Sequence, residues 1–369
     1  MPRFVSQIVG MAAALWIVSH SAEAQSAKKQ DPPVATVGLT ANELFEQART
    51  LFNQKNYKDA LEAYLKFKAE FSTSPDASKA LQDSLYPLAM CFVQQSRFAE
   101  AVPAITEALD TKPPLSPQQV QELTFWLGIA NLQNQDQAAT RAALERFIAL
   151  FPPGAEKIPL VIRQNPAAAR LSEARMLVGT SWILEQKYRE AADYYAALKP
   201  SLSPEIRGRA VIYQLHALLQ LGDNDAAMAV VNEEFPRMQD IPQLISFQTL
   251  TLQLGNRWLE NGEFRKAIVC LQRVWPRERL LKHQAARLEE LRTRQAAVGA
   301  TDDSYQKILY TRLVNEVQRE TENFQKIENF DTALRFRLAV AYLHMKRHRE
   351  AALSMSAMLK ELPPDKLTE

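Results

Sequence analysis

The chain has 369 residues, 47% of them hydrophobic, with a net charge of +2 and only 10 Gly. It is long enough for a substantial buried core and poor in strand and turn signals, which points to an all-helical protein. The charge is too small for a nucleic-acid binder, whose phosphate contacts demand a larger basic excess.

At the N-terminus, Arg3 precedes an apolar run from Ile8 to Val18, followed by Ala22-Glu23-Ala24, a small-x-small site of the kind a signal peptidase cuts. Residues 1–24 are therefore expected to be a cleavable signal peptide, with Gln25 the first mature residue. The run is about half of the roughly 20 apolar residues that span a bilayer, and no Cys follows the site to carry a lipid. No later segment reads as membrane-spanning, so the mature chain is expected to be soluble. Residues 25–39, with Lys28, Lys29, Pro32, Pro33 and Gly38, read as a flexible leader.

From residue 40 onward a helix-pair pattern recurs. Its clearest copy is Leu85, Leu88, Ala89, Phe92, Phe98, Ala101, Ile105, Ala108 and Pro113. Comparable copies are Leu254, Gly255, Trp258, Gly262, Phe264, Ala267, Leu271 and Val274, and Leu338, Ala339, Tyr342, Ala351, Met355, Met358 and Pro363. The small residue (Ala89, Gly255, Ala339) lets two helices approach closely, the aromatic three residues on fills the seam, and the closing Pro has no N–H with which to continue the helix. Weaker copies start at Leu44, Leu127, Val178 and Val211. The third puts Asn131 at the aromatic position and Thr140 at the Ala position, so its packing is expected to be the poorest of the seven. Anchor residues fall at 60, 101, 140, 191, 227, 267 and 351. These steps exceed a plain repeat of about 34 residues, and the excess falls in Pro-rich connections at Ser72–Asp76, Lys112–Pro117 and Phe151–Pro166.

The order large apolar, small, aromatic, turn, aromatic, Ala, large apolar, Pro resembles the tetratricopeptide repeat. That resemblance implies an all-α solenoid of about seven helix pairs whose first helices line a concave groove, each repeat touching only its neighbours. Within the family, Asn56-Tyr57-Lys58-Asp59-Ala60, Phe67, Ser74-Pro75-Asp76-Ala77 and Leu88-Ala89 look like the exported bacterial proteins associated with Tol-Pal and outer-membrane assembly. This covers the first two repeats and implies a scaffold for envelope machinery.

The chain departs from the repeat once. After Ala267 the next anchor is Ala351, 84 residues on. Leu281, Ala285, Leu288 and Leu291 follow a heptad-like seam, Gly299–Asp303 supplies a turn, and Tyr305, Leu309, Leu313, Val317, Phe324 and Ile327 continue at helical spacing. These are expected to form an inserted helical hairpin, with a degenerate eighth repeat as the competing reading. The expected organisation is a solenoid over 40–275, the hairpin over 276–328 and a final repeat over 329–369. Arg277, Arg279, Lys282, Arg287, Arg292 and Arg294 concentrate positive charge on the hairpin's first helix. Such a run serves either as a solvated face or as a patch for an acidic partner.

The groove positions that the resemblance implies are template positions two, five, six and nine. They place Tyr86 and Met90, then Phe125, Trp126 and Ile129, then Ile212, Tyr213 and His216, then Asn256 toward a partner. Aromatic and Met anchors are what an interface uses to bury an apolar helix or an extended peptide. The alternative, in which Phe125 and Trp126 pack under the Phe151–Pro166 connection, stays open at this stage.

No phosphate-cradling Gly loop, Gly-x-Ser-x-Gly elbow, His-Glu-x-x-His or Cys-x-x-Cys occurs, so neither a catalytic site nor a cofactor is expected. His344 and His348 stand four apart, but His348 falls where Phe98 and Phe264 pack in other copies, and packing is the expected role. Cys91 and Cys270 lie on distant repeats and are expected to be separate buried thiols. The expected function is binding alone: an exported scaffold, with no nucleic-acid partner, holding an envelope protein or peptide in its concave face. The alternative is the recruiting or regulatory segment of a larger enzyme or secretion complex.

Overall fold

The structure, a computed structural model, describes residues 39–202, 204–299 and 304–361. The expected signal peptide, all but the last residue of the leader, the Ala300–Asp303 part of the hairpin turn and the closing Pro363 lie outside the described residues. Those residues form α-helices and short 3-10 turns with no strand among them. They fall into two compact units that meet between Gln186 and Lys187, inside the stretch expected to be one solenoid.

The first unit contains α1 (Ala41–Asn53), α2 (Tyr57–Phe71), α3 (Ser78–Gln94), α4 (Phe98–Leu109), α5 (Pro117–Gln133), α6 (Gln137–Ala149), the short α7 (Pro159–Gln164) and α8 (Leu171–Leu184). Helix starts follow local chemistry. Thr40 with Glu43 and Ser116 with Gln119 form capping boxes on α1 and α5, and Asn56 and Asp136 cap α2 and α6. Consecutive helices pair antiparallel, and each second helix then packs on the next first helix: α2 on α3, α4 on α5, α6 on α8.

The second unit contains α9 (Tyr188–Leu198), α10 (Pro204–Leu221), α11 (Asn224–Glu234), α12 (Leu244–Glu260), α13 (Phe264–Leu271), α14 (Arg277–Gly299), α15 (Ser304–Gln325), α16 (Asp331–His344) and α17 (His348–Glu361). Here α9 packs on α10, α11 on α12, and α13 directly on α16. The stack thus passes from the sixth pair to the last without α14 and α15, which pair with each other instead.

The repeat chemistry is visible atom by atom. A Cβ built on Gly128 would come within 2.5 Å of Leu144 Cδ2, and one on Gly255 within 2.8 Å of Leu271 Cδ2, so a larger residue at either crossing would force the leucine to shift. The third pair, expected to pack poorly, does not. Thr140 is fully buried and its hydroxyl donates 2.7 Å to the Asp136 carbonyl, one helical turn back. The substitution of Thr for Ala therefore leaves no orphaned polar group. In all seven copies the turn between the helices holds one residue in the left-handed region: Lys55, Ser96, Gln135, Gln186, Gly222, Gly262 and Lys346. Only two of the seven use the residue that adopts it without steric cost.

Two expectations about individual residues need correction. Ala285 is exposed, and the hairpin seam carries Gln284 in its place, fully buried with Leu280 and Leu291. The polar residue is tolerated there because its amide donates to the Pro242 carbonyl and to Glu320. His348 begins α17 and is exposed, while His344 lies flat on Phe264 with ring centroids 4.3 Å apart.

Candidate functional site

In the first unit the expected groove residues are core. Phe125, Trp126, Ile129 and Met90 are buried, and α5 is covered on nearly every face from Gln121 to Leu132. The cover comes from the chain itself. The long connection after Phe151 folds into short helical turns whose last, Pro166–Arg170, packs on α5. It sets the Arg170 guanidinium 5.1 Å from the Phe125 ring and 5.7 Å from the Trp126 ring, a cation–π arrangement. Asn165 donates 2.7 Å to Gln121, and the buried Glu156 pairs with Arg175 to hold the base of the connection. Of the set, Tyr86 keeps partial exposure. Its hydroxyl donates 2.7 Å to Glu122 and is pushed well above its ordinary range by burial first and by that carboxylate second.

In the second unit Tyr213 and His216 are likewise buried, as is Ile212. Tyr213 packs 5.5 Å from Tyr195, and burial pushes its hydroxyl up to about 12. His216 sits edge-on to Tyr188 and is held neutral, its imidazole pushed down to about 4 by burial. Positions two, five, six and nine say which way a side chain points, but what lies above it depends on residues outside the repeat.

The basic run on α14 is also largely spent within the chain. Arg277 donates to the carbonyls of Gln325 and Ile327, its backbone N–H donates to Asp331, and its guanidinium stands over Phe324. Arg279 lies 3.8 Å above Trp275, Arg287 and Arg294 share Glu290, and Arg292 donates to Gln318. Lys282 is exposed. Arg277 and Arg292 thus tie α14 to α15 and α16, while Arg287 and Arg294 are paired within α14.

What stays open lies on α12 and α16. Asn256 and Gln253 are half-buried, and the amide oxygens of both are shielded from solvent without a hydrogen-bond partner. Next in the stack, α16 exposes Phe336 at 49% and Leu343 at 55%, with the half-buried Val340 between them at helical spacing on the same face. These are template positions five, nine and twelve of the final copy. Counting the same positions one repeat further would have found Phe336 and Val340 from the sequence. Such a face offers apolar area of the kind that buries the apolar side chains of a partner segment. Among the described residues no group of His, Cys, Asp and Glu is placed to hold a metal. Cys91 and Cys270 are free thiols, each pushed up to about 12 by burial, which leaves them poor nucleophiles.

Two tetratricopeptide repeat models match the chain, at residues 44–74 and 86–155, which are the first three helix pairs. With the pairing and stacking described above, they define an all-α fold of tetratricopeptide type. A search of curated proteins returns no match. Solved structures similar to the chain include nearly identical TPR-like repeats of a kinesin light chain from Podosopora anserina, at 15% identity over 52% of this chain and 91% of that one, TM-score 0.34. Aspartyl phosphate phosphatase F from Bacillus subtilis aligns at 10% identity over 91% of this chain and 97% of that one, TM-score 0.34. The TPR2AB domain of yeast Sti1, in complex with pHSP90, aligns at 12% identity over 75% and 98%, TM-score 0.25. At these scores no function is carried over from them.

Proposed function

We propose that this chain is a non-catalytic, exported scaffold that binds another cell-envelope protein or peptide through the face formed by α12 and α16. The observation that carries the reading is the apolar strip Phe336, Val340 and Leu343 standing open beside Gln253 and Asn256. An extended or helical segment laid there would bury apolar side chains on the strip. Removing a half-exposed Phe and Leu from water contributes about 1–2 kcal/mol each. The tetratricopeptide matches support a binding rather than a catalytic role, since their shared residues serve helix packing. Export rests on the N-terminal pattern of Arg3, the Ile8–Val18 run and Ala22-Glu23-Ala24, and an envelope role on the Tol-Pal-like stretch from Ala48 to Ala108. No helix among the described residues is long and apolar enough to cross a membrane.

Crosslinking in cells with the wild type and a Phe336→Ser/Leu343→Ser variant tests the binding face. Loss of a specific crosslinked partner with an unchanged circular dichroism melt supports it, and undiminished capture contradicts it. Fractionation with N-terminal sequencing tests export, for which the expected first residue is Gln25.

A further inference from the structure

Helix α15 meets the rest of the second unit through two carboxylates set one turn apart on one face, Glu316 and Glu320. Glu316 pairs with Arg209 of α10 and accepts 2.6 Å from the Gln243 amide. Glu320 accepts from the backbone N–H of Ser246 at 2.7 Å, from the Ser246 hydroxyl, and from Gln284 at 2.7 Å. Ser246 is the third residue of α12, where a helix has N–H groups without carbonyl partners, and the α12 N-cap residue Gln243 makes no side-chain cap. Glu320 therefore caps α12 from another helix.

The apolar stripe of α15 points elsewhere. Leu313, Val314 and Val317 pack with Leu291 of α14 in a cluster of their own, joined by Leu288, Leu309 and Tyr310. The hairpin thus carries its own small core, and Glu316, Glu320 and Gln284 tie it to Arg209, Gln243, Ser246 and the Pro242 carbonyl. Its base is pinned separately, by Arg277 to Asp331 and by Phe324 against Phe330. Lifting the hairpin about that base breaks the two carboxylate contacts and the Gln284 bond to the Pro242 carbonyl, and leaves the α14–α15 seam intact.

We propose that the α14–α15 hairpin is a releasable lid over the first-helix face of α10 and α12, latched by Glu316 and Glu320. This rests on reading the first helices as the binding side of the fold. Release would uncover the N-terminal N–H groups of α12, at Ser246, to a partner carrying its own carboxylates. The latch responds to pH. Burial pushes Glu320 up to about 7 from an ordinary value of 4.5, the Ser246 and Gln284 donors pull the other way, and Glu316 adds to the rise. The groups facing it are Ser246 on α12, Gln284 on α14 and Glu316 on α15, the last held by Arg209 of α10. His283, next to Gln284 on α14, is itself pushed down by burial and by Arg287 and Arg279. A carboxyl whose docked value lies above its free value favours docking at low pH, so the latch is strongest below 4.5, weakens up to about 7 and is level beyond.

Amide hydrogen exchange at Ser246 in the full chain, without any partner, tests this. Corrected for intrinsic rates, protection of the Ser246 N–H is expected to fall roughly fifty-fold between pH 5 and pH 7.5, while the α12 interior, read at Leu254, stays protected. Glu320→Gln is expected to abolish the fall. Flat protection in the wild type overturns the proposal, and so does an equal fall in Glu320→Gln. A flat wild-type profile overturns the proposal even if the variant does not fold. Because no partner is present, its outcome is independent of the capture experiment on Phe336 and Leu343.

Discussion

Gly128 and Leu144 meet so closely that a methyl group on the glycine would stand 2.5 Å from Leu144 Cδ2 and 2.6 Å from its Cγ. Leu144 is fully buried, so it has little room to yield. Gly128→Ala gains about 1 kcal/mol in helix propensity and loses about 1–3 kcal/mol to overpacking. The net expectation is a lower midpoint in a urea melt. Gly128→Ala/Leu144→Ala is expected to be less destabilised than the two single changes summed, because truncating Leu144 makes the room the new methyl needs.

Ser96 adopts φ 58° in the turn between α3 and α4, where Gly222 and Gly262 serve in other turns. A non-glycine residue in the left-handed region is strained by about 1–2 kcal/mol. Ser96→Gly relieves that at the expense of a more flexible unfolded chain, for a net gain of about 0.5 kcal/mol. Chemical denaturation of the full chain measures it.

Glu234 is fully buried between Arg207, at 2.6 and 2.8 Å, and Arg237, with Lys199 at 3.6 Å. Burial works to raise its pKa, but the hydrogen bonds from Arg207 and Arg237 outweigh it and hold the carboxyl below 4.5. Its contribution to stability is present above 4.5 and is lost as pH falls below that, the opposite sense to Glu320. Glu233 still pairs with Lys199, Arg207 and Arg237, so Glu234→Ala removes buried charge-assisted hydrogen bonds without stranding the cations and is expected to cost about 1–3 kcal/mol, seen as a lower midpoint in a urea melt.

Cys91 and Cys270 are buried, with thiols pushed up to about 12. A thiol reagent at pH 8 is expected to label neither in the native chain and both after denaturation. Labelling of native protein would show that α3 or α13 opens more readily than its burial implies.

The helix pairs were legible in the sequence because their code is steric and local. Gly128, Ala89, Gly255 and Ala339 mark the close crossings, and Phe92, Trp258 and Tyr342 the filled seams. The α14–α15 pairing was legible for the same reason, from Leu288, Leu291, Leu309 and Leu313. The site was not. Template positions gave the direction of Phe125, Trp126, Tyr213 and His216, but Arg170, Asn165, Glu316 and Glu320, which belong to no repeat, decide what covers the first helices. The basic run misled for a related reason: charge in a sequence has no partners, whereas Glu290, Gln318 and Asp331 use most of it internally. Phe336 and Val340 were within reach of the same template count in the final repeat, whereas Leu343 lies at position twelve, outside it.

The open face of α12 and α16 is proposed to hold a partner. In-cell crosslinking from a photoreactive residue placed at Val340, in the wild type and in Phe336→Ser/Leu343→Ser, tests it most directly. The account expects a discrete crosslinked product that disappears in the variant while the fold persists. No product in the wild type, or an equal product in the variant, would contradict it.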